Sequence, residues 1–138
     1  MPYRCKVGDS ACLYDGGGGH RNVVLTNPNK DDSVVVANFT SAPNCRCDGR
    51  VFSGSDDRNL FDRPTVVHYY FAKICSVTYL CGHLELSREY IPAKHRFCNQ
   101  IITEQIIEDA FKSQFTSGDV IGELKIHYPL EYGLYYED

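Results

Sequence analysis

"NVVLTNPNKDDSVVVANF", residues 22–39, is the stretch on which the fold turns. Two short β-branched runs, NVVLT (22–26) and SVVVANF (33–39), flank NPNKDD (27–32), whose Asn, Pro and Asp residues are turn formers. A connection that short usually joins neighbouring strands, so the pattern predicts an antiparallel hairpin. Outward from it, SACLYD (10–15) reads as a preceding strand, and TVVHYYFAKICSVTYLC (65–81) as one long strand or a bent pair. Residues 41–64 are polar, turn-rich and long for a connection, which predicts a segment that carries function and orders against a site. SREYIP (87–92) predicts a short helical turn closed before Pro92. The clearest helix is TEQIIEDAFKSQF (103–115), with Thr103 as its cap, Glu104 in its first turn, and Ile106, Ile107, Ala110 and Phe111 on one apolar face. Gly118 reads as its stop. The expected fold class is mainly β with a late helix (α+β), a small curved antiparallel sheet or barrel with the helix packed on it.

Composition bounds the rest. A chain of 138 residues that is 43% apolar, with ten tyrosines and seven phenylalanines, suits one domain over 1–138 with one modest core. No window approaches the roughly 18–20 apolar residues of a membrane span, and the start MPYRCKVGDS lacks a long apolar stretch. A soluble, cytoplasmic protein without membrane contact is expected. The seven cysteines are odd in number, so they cannot all pair within one chain, and mostly reduced thiols are expected. CRC (45–47) and CSVTYLCGH (75–83) lack the C-x2-C pairs of a strong zinc site, so no metal and no cofactor is expected. The formal net charge of −4 offers no bulk attraction to nucleic acid. Arg46, Arg50, Arg58 and Arg63 crowd the middle, and acids gather from Glu104 onward.

The glycine run GGGGHR (16–21) leads into a strand, and no G-K-[ST] follows it, so it is no phosphate-binding loop. It reads instead as a hairpin loop that delivers His20 and Arg21 to the rim of the sheet. The aromatic tail IHYPLEYGLYYED (126–138) reads as core and edge packing, with a partner-binding strand as the alternative.

VGDSACLYD, GHRNVVLTNP and SVVVANFTS, in that order and spacing, resemble the opening of the MazF/PemK/Kid family of toxin ribonucleases. The resemblance is strongest over 7–41, looser over 60–75 and 103–115, and covers about half the chain. It implies an SH3-like or CcdB-like curved sheet, a homodimer, a cognate antitoxin protein, and cleavage of single-stranded RNA without a metal. The family's catalytic Arg falls on Arg21 and its catalytic Thr on Thr40, with Ser41 beside it. His20, Asp62 and His68 are the candidate proton carriers, and Gly19, Ser41 and Arg63 the candidate substrate contacts. The chemistry suits these types: when a 2′-hydroxyl attacks the adjacent phosphorus, an enzyme must align the attack, move two protons and stabilise phosphorane charge. A guanidinium suits the phosphorane oxygens and a hydroxyl can hold another phosphate oxygen. The alternative class is a non-enzymatic module on the same sheet that binds a protein partner. The chain departs from the family in its glycine-rich first loop, its cysteine-bearing segment 42–64 and its acidic balance.

Overall fold

The computed structural model describes residues 6–13, 20–41, 47–58, 60–80 and 96–129. Within these lie strands β1 (Asp9–Leu13), β2 (His20–Val24), β3 (Ser33–Ser41), β4 (Thr65–Ser76) and the two-residue β5 (Arg96–Phe97), followed by helices α1 (Gln100–Lys112) and α2 (Gly118–His127). Every described strand pair is antiparallel, and the order across the sheet is β4-β3-β2-β1-β5. This is an α+β arrangement whose described sheet is open, with β4 at one end and β5 at the other.

The hairpin forms where the turn chemistry puts it. Asn29 accepts on Oδ1 from the amides of Asp31 (2.9 Å) and Ser33 (3.0 Å), and Asp32 takes the left-handed turn conformation at φ 57°. The buried Thr26 hydroxyl accepts from Val35 N at 2.9 Å, and Leu25 N donates to Val35 O at 2.8 Å, so pairing runs past the end of β2. Gly8, at φ 94°, makes the entry to β1: its amide donates to Val24 O and its carbonyl accepts from Cys98 N. Asp9, beside it, is fully buried and accepts from Lys6 N. The Gly-Asp pair is thus a turn that ties three segments together.

Val23, Val35, Ala37, Phe39, Val67 and Tyr69 face the helices, where Ile102, Ile106, Ile107 and Ala110 of α1 and Val120 and Leu124 of α2 complete one core. Val24, Val34, Val36, Cys75 and Leu80 form a second, smaller cluster on the opposite face. Burial on both faces explains why the hairpin runs are continuously apolar instead of alternating. β4 is a single long strand, and residues 77–80 turn helical after it.

Both helix expectations need correction. Asn99, not Thr103, caps α1: its Oδ1 accepts from Ile102 N at 2.9 Å. Thr103 lies one turn inside, buried, with its hydroxyl donated back to Asn99 O at 2.8 Å. Asn caps at least as well as Thr, and starting at Gln100 brings Ile102 onto the apolar face. Gly118 is not a stop but the first residue of α2, whose cap is Ser117, accepting from Val120 N at 3.3 Å. Asn29 Nδ2 donates to Glu123 Oε1 at 2.8 Å, and His127 Nε2 lies 3.3 Å from the same oxygen, so α2 is tied to the hairpin loop.

Within the stretch 41–64, Asp48, Gly49 and Arg50 brace α1. The Arg50 side chain reaches Asp109 twice, Nε to Oδ2 at 2.9 Å and an Nη to Oδ1 at 3.0 Å, and Arg50 N also donates to Oδ2 at 3.0 Å. The hydrogen bond to Asp109 raises the Arg50 pKa further, so the guanidinium stays charged. Asp48 accepts from Ser113 Oγ and Gln114 N at the end of the helix. A Cβ on Gly49 would stand 2.8 Å from Tyr69 Cε2, which explains a glycine there. Phe52 and Phe61 stack at 5.3 Å, and Phe61 meets Phe39 edge-on at the same distance.

Cys75 and Cys98 are buried free thiols, and Cys47 is disulfide-bonded. Burial pushes the Cys98 thiol up to about 11 and raises the Tyr69 phenol well above its ordinary value. Tyr69 keeps its proton and donates it to Ile106 O at 2.9 Å. Among the described residues no helix is long and apolar enough to cross a membrane. The segment 87–92 and residues 130–138 lie outside the described residues; before them, Tyr128 donates to Leu25 O and packs on the core, while Ile126 is exposed.

Candidate functional site

Side chains alternate faces along a strand, so strand parity sorts the candidate residues. In β3, Val35, Ala37 and Phe39 point to the helices, which sends Asn38 and Thr40 to the other face. In β2, Val23 points to the helices, and Arg21, two residues earlier, shares its side. The half-buried Arg21 guanidinium donates to Ser10 Oγ at 3.0 Å, and Ser10, cross-strand partner of Val23, is fully buried on that same side. Arg21 and Thr40 therefore stand on opposite faces of the sheet. The shared anion pocket expected of them is not what the strands build, because their positions differ in parity once the β2–β3 register is set by Val23 opposite Ala37.

Thr40 has different company. Asn22 pairs with Asn38, and Asn38 with His68, so three polar side chains form a row across β2, β3 and β4 on the face away from the helices. Thr40 pairs with Val66, which makes Thr40 and His68 diagonal neighbours on that face, about 7–8 Å apart. On the other side of the row, Lys73 pairs with Val36 and brings an exposed ammonium. Asn38 Oδ1 is buried with no hydrogen-bond partner among the described residues, an arrangement that costs about 1–3 kcal/mol. Uncompensated polar groups of this kind gather at sites shaped for something other than stability.

A register shift between Val36 and Asn38 shapes the β4 end of the row. Tyr69, Tyr70, Phe71 and Ala72 stand opposite Ala37 alone, and the bulge turns Tyr70 (65% exposed) and Phe71 (53% exposed) out into solvent. The His68 ring lies 4.4 Å from that of Phe71 at 78°.

The remaining candidates scatter. Ser41 pairs with Thr65 at the end of β3, one position beyond Thr40 and of opposite parity. Asp62 and Arg63 are exposed in the approach to β4 and pair with each other at 3.3 Å. His20 opens β2 opposite Leu13, its side chain outside what is described, and Gly19 lies outside the described residues. Of the expected site residues, Thr40 and His68 share a face; Arg21 does not join them. Sequence reading missed Asn22, Asn38, Lys73, Tyr70 and Phe71. Parity from a known β3 face finds the two asparagines, but Lys73 enters the site only through the bulge, which no sequence pattern announces.

No family model, no curated protein and no solved structure matches this chain.

Proposed function

We propose that the chain is a metal-independent endoribonuclease acting on single-stranded RNA, with its site on the Thr40 and His68 face instead of at Arg21. The observation that carries this reading is the row Asn22–Asn38–His68, with its unsatisfied acceptor, beside the Thr40 hydroxyl and the Lys73 ammonium. These are the group types the reaction needs. His68 takes the 2′-hydroxyl proton as the 2′-oxygen attacks phosphorus; the P–O5′ bond breaks, a 2′,3′-cyclic phosphate forms, and the 5′-oxygen takes a proton from water. Thr40 donates a hydrogen bond to a non-bridging oxygen, and Lys73 faces the charge that develops on the others. An antitoxin that occludes this face, and a homodimer, belong to the same proposal.

The test is cleavage of single-stranded RNA in excess EDTA by the wild type and by His68→Ala, Thr40→Ala and Arg21→Ala, each checked for folding. The expected result is loss of about 10²–10⁴-fold in His68→Ala, a smaller loss in Thr40→Ala, and retained cutting in Arg21→Ala. Cutting unchanged by His68→Ala and Thr40→Ala, or abolished by Arg21→Ala in a folded protein, overturns the site. Growth arrest without cleavage of any RNA overturns the enzyme and leaves the partner-binding module.

A further inference from the structure

We infer that Tyr70 and Phe71 form a stacking platform that holds two successive nucleobases of a single strand apart from each other beside His68. This rests on the reading of the His68 face as a nucleic-acid site and adds what that site grips and in which conformation.

Two large rings side by side in water are costly unless something covers them, and the bulge in β4 is what puts them there. They are held by neighbours: Phe71 packs edge-on against Tyr70 at 5.2 Å and 80°, and against His68 at 4.4 Å and 78°. Such fixed rings offer π-faces to any base, whatever its sequence. Because the two ring planes are 80° apart, a base on each cannot stack on its neighbour. The bound step is therefore splayed. A stacked, A-form step keeps the 2′-oxygen out of line with the leaving 5′-oxygen, so splaying moves the step toward the geometry of attack. The phosphate between the splayed bases falls among polar donors on the same face, with Lys73 one row from His68.

Charge favours stacking as the main source of affinity. With a net charge of −4 the chain has no long-range pull on a polyanion, and Lys73, opposite Val36, stands one row from Asn38 and His68. Binding should then depend weakly on salt, with a slope of about −0.7 in log K against log salt for one phosphate contact on a single strand.

The experiment measures fluorescence anisotropy of the full chain with labelled 2′-fluoro oligouridylate and oligoadenylate of equal length, which cannot be cut by 2′-oxygen attack, and with a 2′-fluoro duplex. Tyr70→Ala and Phe71→Ala should each weaken single-strand binding by about 5- to 150-fold, with Tyr70→Phe close to wild type. Oligouridylate should bind tighter than oligoadenylate, whose bases must first unstack, and the duplex should not compete. Affinity unchanged in both alanine variants, duplex bound as well as single strand, or a salt slope several times steeper overturns the platform. Self-association that depends on Tyr70 and Phe71, with no oligonucleotide bound, also overturns it and marks a protein interface. The two readings fail separately. Cleavage lost in His68→Ala while Tyr70→Ala and Phe71→Ala bind normally sinks the platform alone; platform-dependent binding with no cleavage of ribo-oligonucleotides sinks the nuclease alone.

Discussion

The two faces of the sheet come from the same strands and differ in almost everything else. Toward the helices, Val23, Val35, Ala37, Phe39, Val67 and Tyr69 meet α1 and α2 in a packed core, and the buried polar groups there, Tyr69 and Asp109 among them, have partners. Away from the helices, a row of Asn22, Asn38 and His68, with an acceptor that has no partner among the described residues, interrupts the apolar burial between Val24, Val34 and Val36 on one side and Val66 on the other. One face has spent its side chains on packing; the other retains groups able to bind and move protons. The same contrast separates two short stretches, since Asp48, Gly49 and Arg50 brace α1 and 68–73 carry the candidate chemistry.

If that division is right, substitutions on the helix face change stability, and those on the opposite face change function. The largest effect is expected from Ile106→Ala, which opens a cavity beneath the sheet where Ile106 is fully buried and should cost about 2–5 kcal/mol in urea unfolding. Asp109→Ala follows: it takes the acceptor from the Arg50 backbone amide and, among the described residues, leaves the guanidinium with Glu108 alone at 3.4 Å, which should cost about 1–3 kcal/mol, with protease cutting within 47–58 rising in parallel.

Alkaline pH probes the helix face without mutation. The Cys98 thiol is raised from 9.0 to about 11 by burial. Below pH 9 it is protonated in both states and has no effect; above that, the unfolded chain releases its proton while the folded chain holds it, so stability falls. The slope is at most about 1.4 kcal/mol per pH unit and levels off past the folded value. Urea melts between pH 8 and 11 should show this decline, and Cys98→Ala should make it shallower between pH 9 and 10, above which the raised Tyr69 phenol adds a decline of the same sign; a profile that rises over that range contradicts the burial of Cys98.

The smallest effect on stability is expected on the face away from the helices. Asn38→Ala removes a group whose oxygen has no partner among the described residues, so it should lie within about 1 kcal/mol of wild type or be stabilising, while RNA cleavage or binding falls. A loss as large as that of Ile106→Ala would make the row a structural element and erase the contrast.

The sequence by itself determined the hairpin, since a β-branched run, an Asn-Pro-Asn-Lys-Asp-Asp turn and a second β-branched run leave little choice once turn residues and short loops are given. It also located α1 to within one turn, missing the cap because Thr103 and Asn99 are both competent and only the packing of Ile102 decides between them. The second helix was hidden because Gly118 is a stop signal in one context and a first helical residue in another, according to whether Ser117 finds an amide to cap. The site is where tertiary structure ruled. Arg21 and Thr40 sit at matching strand ends on paper, yet a side-chain period of two sends them to opposite faces as soon as one register is set. Lys73, Tyr70 and Phe71 reach their places through a bulge, a property of how two strands fit each other that neither strand carries alone.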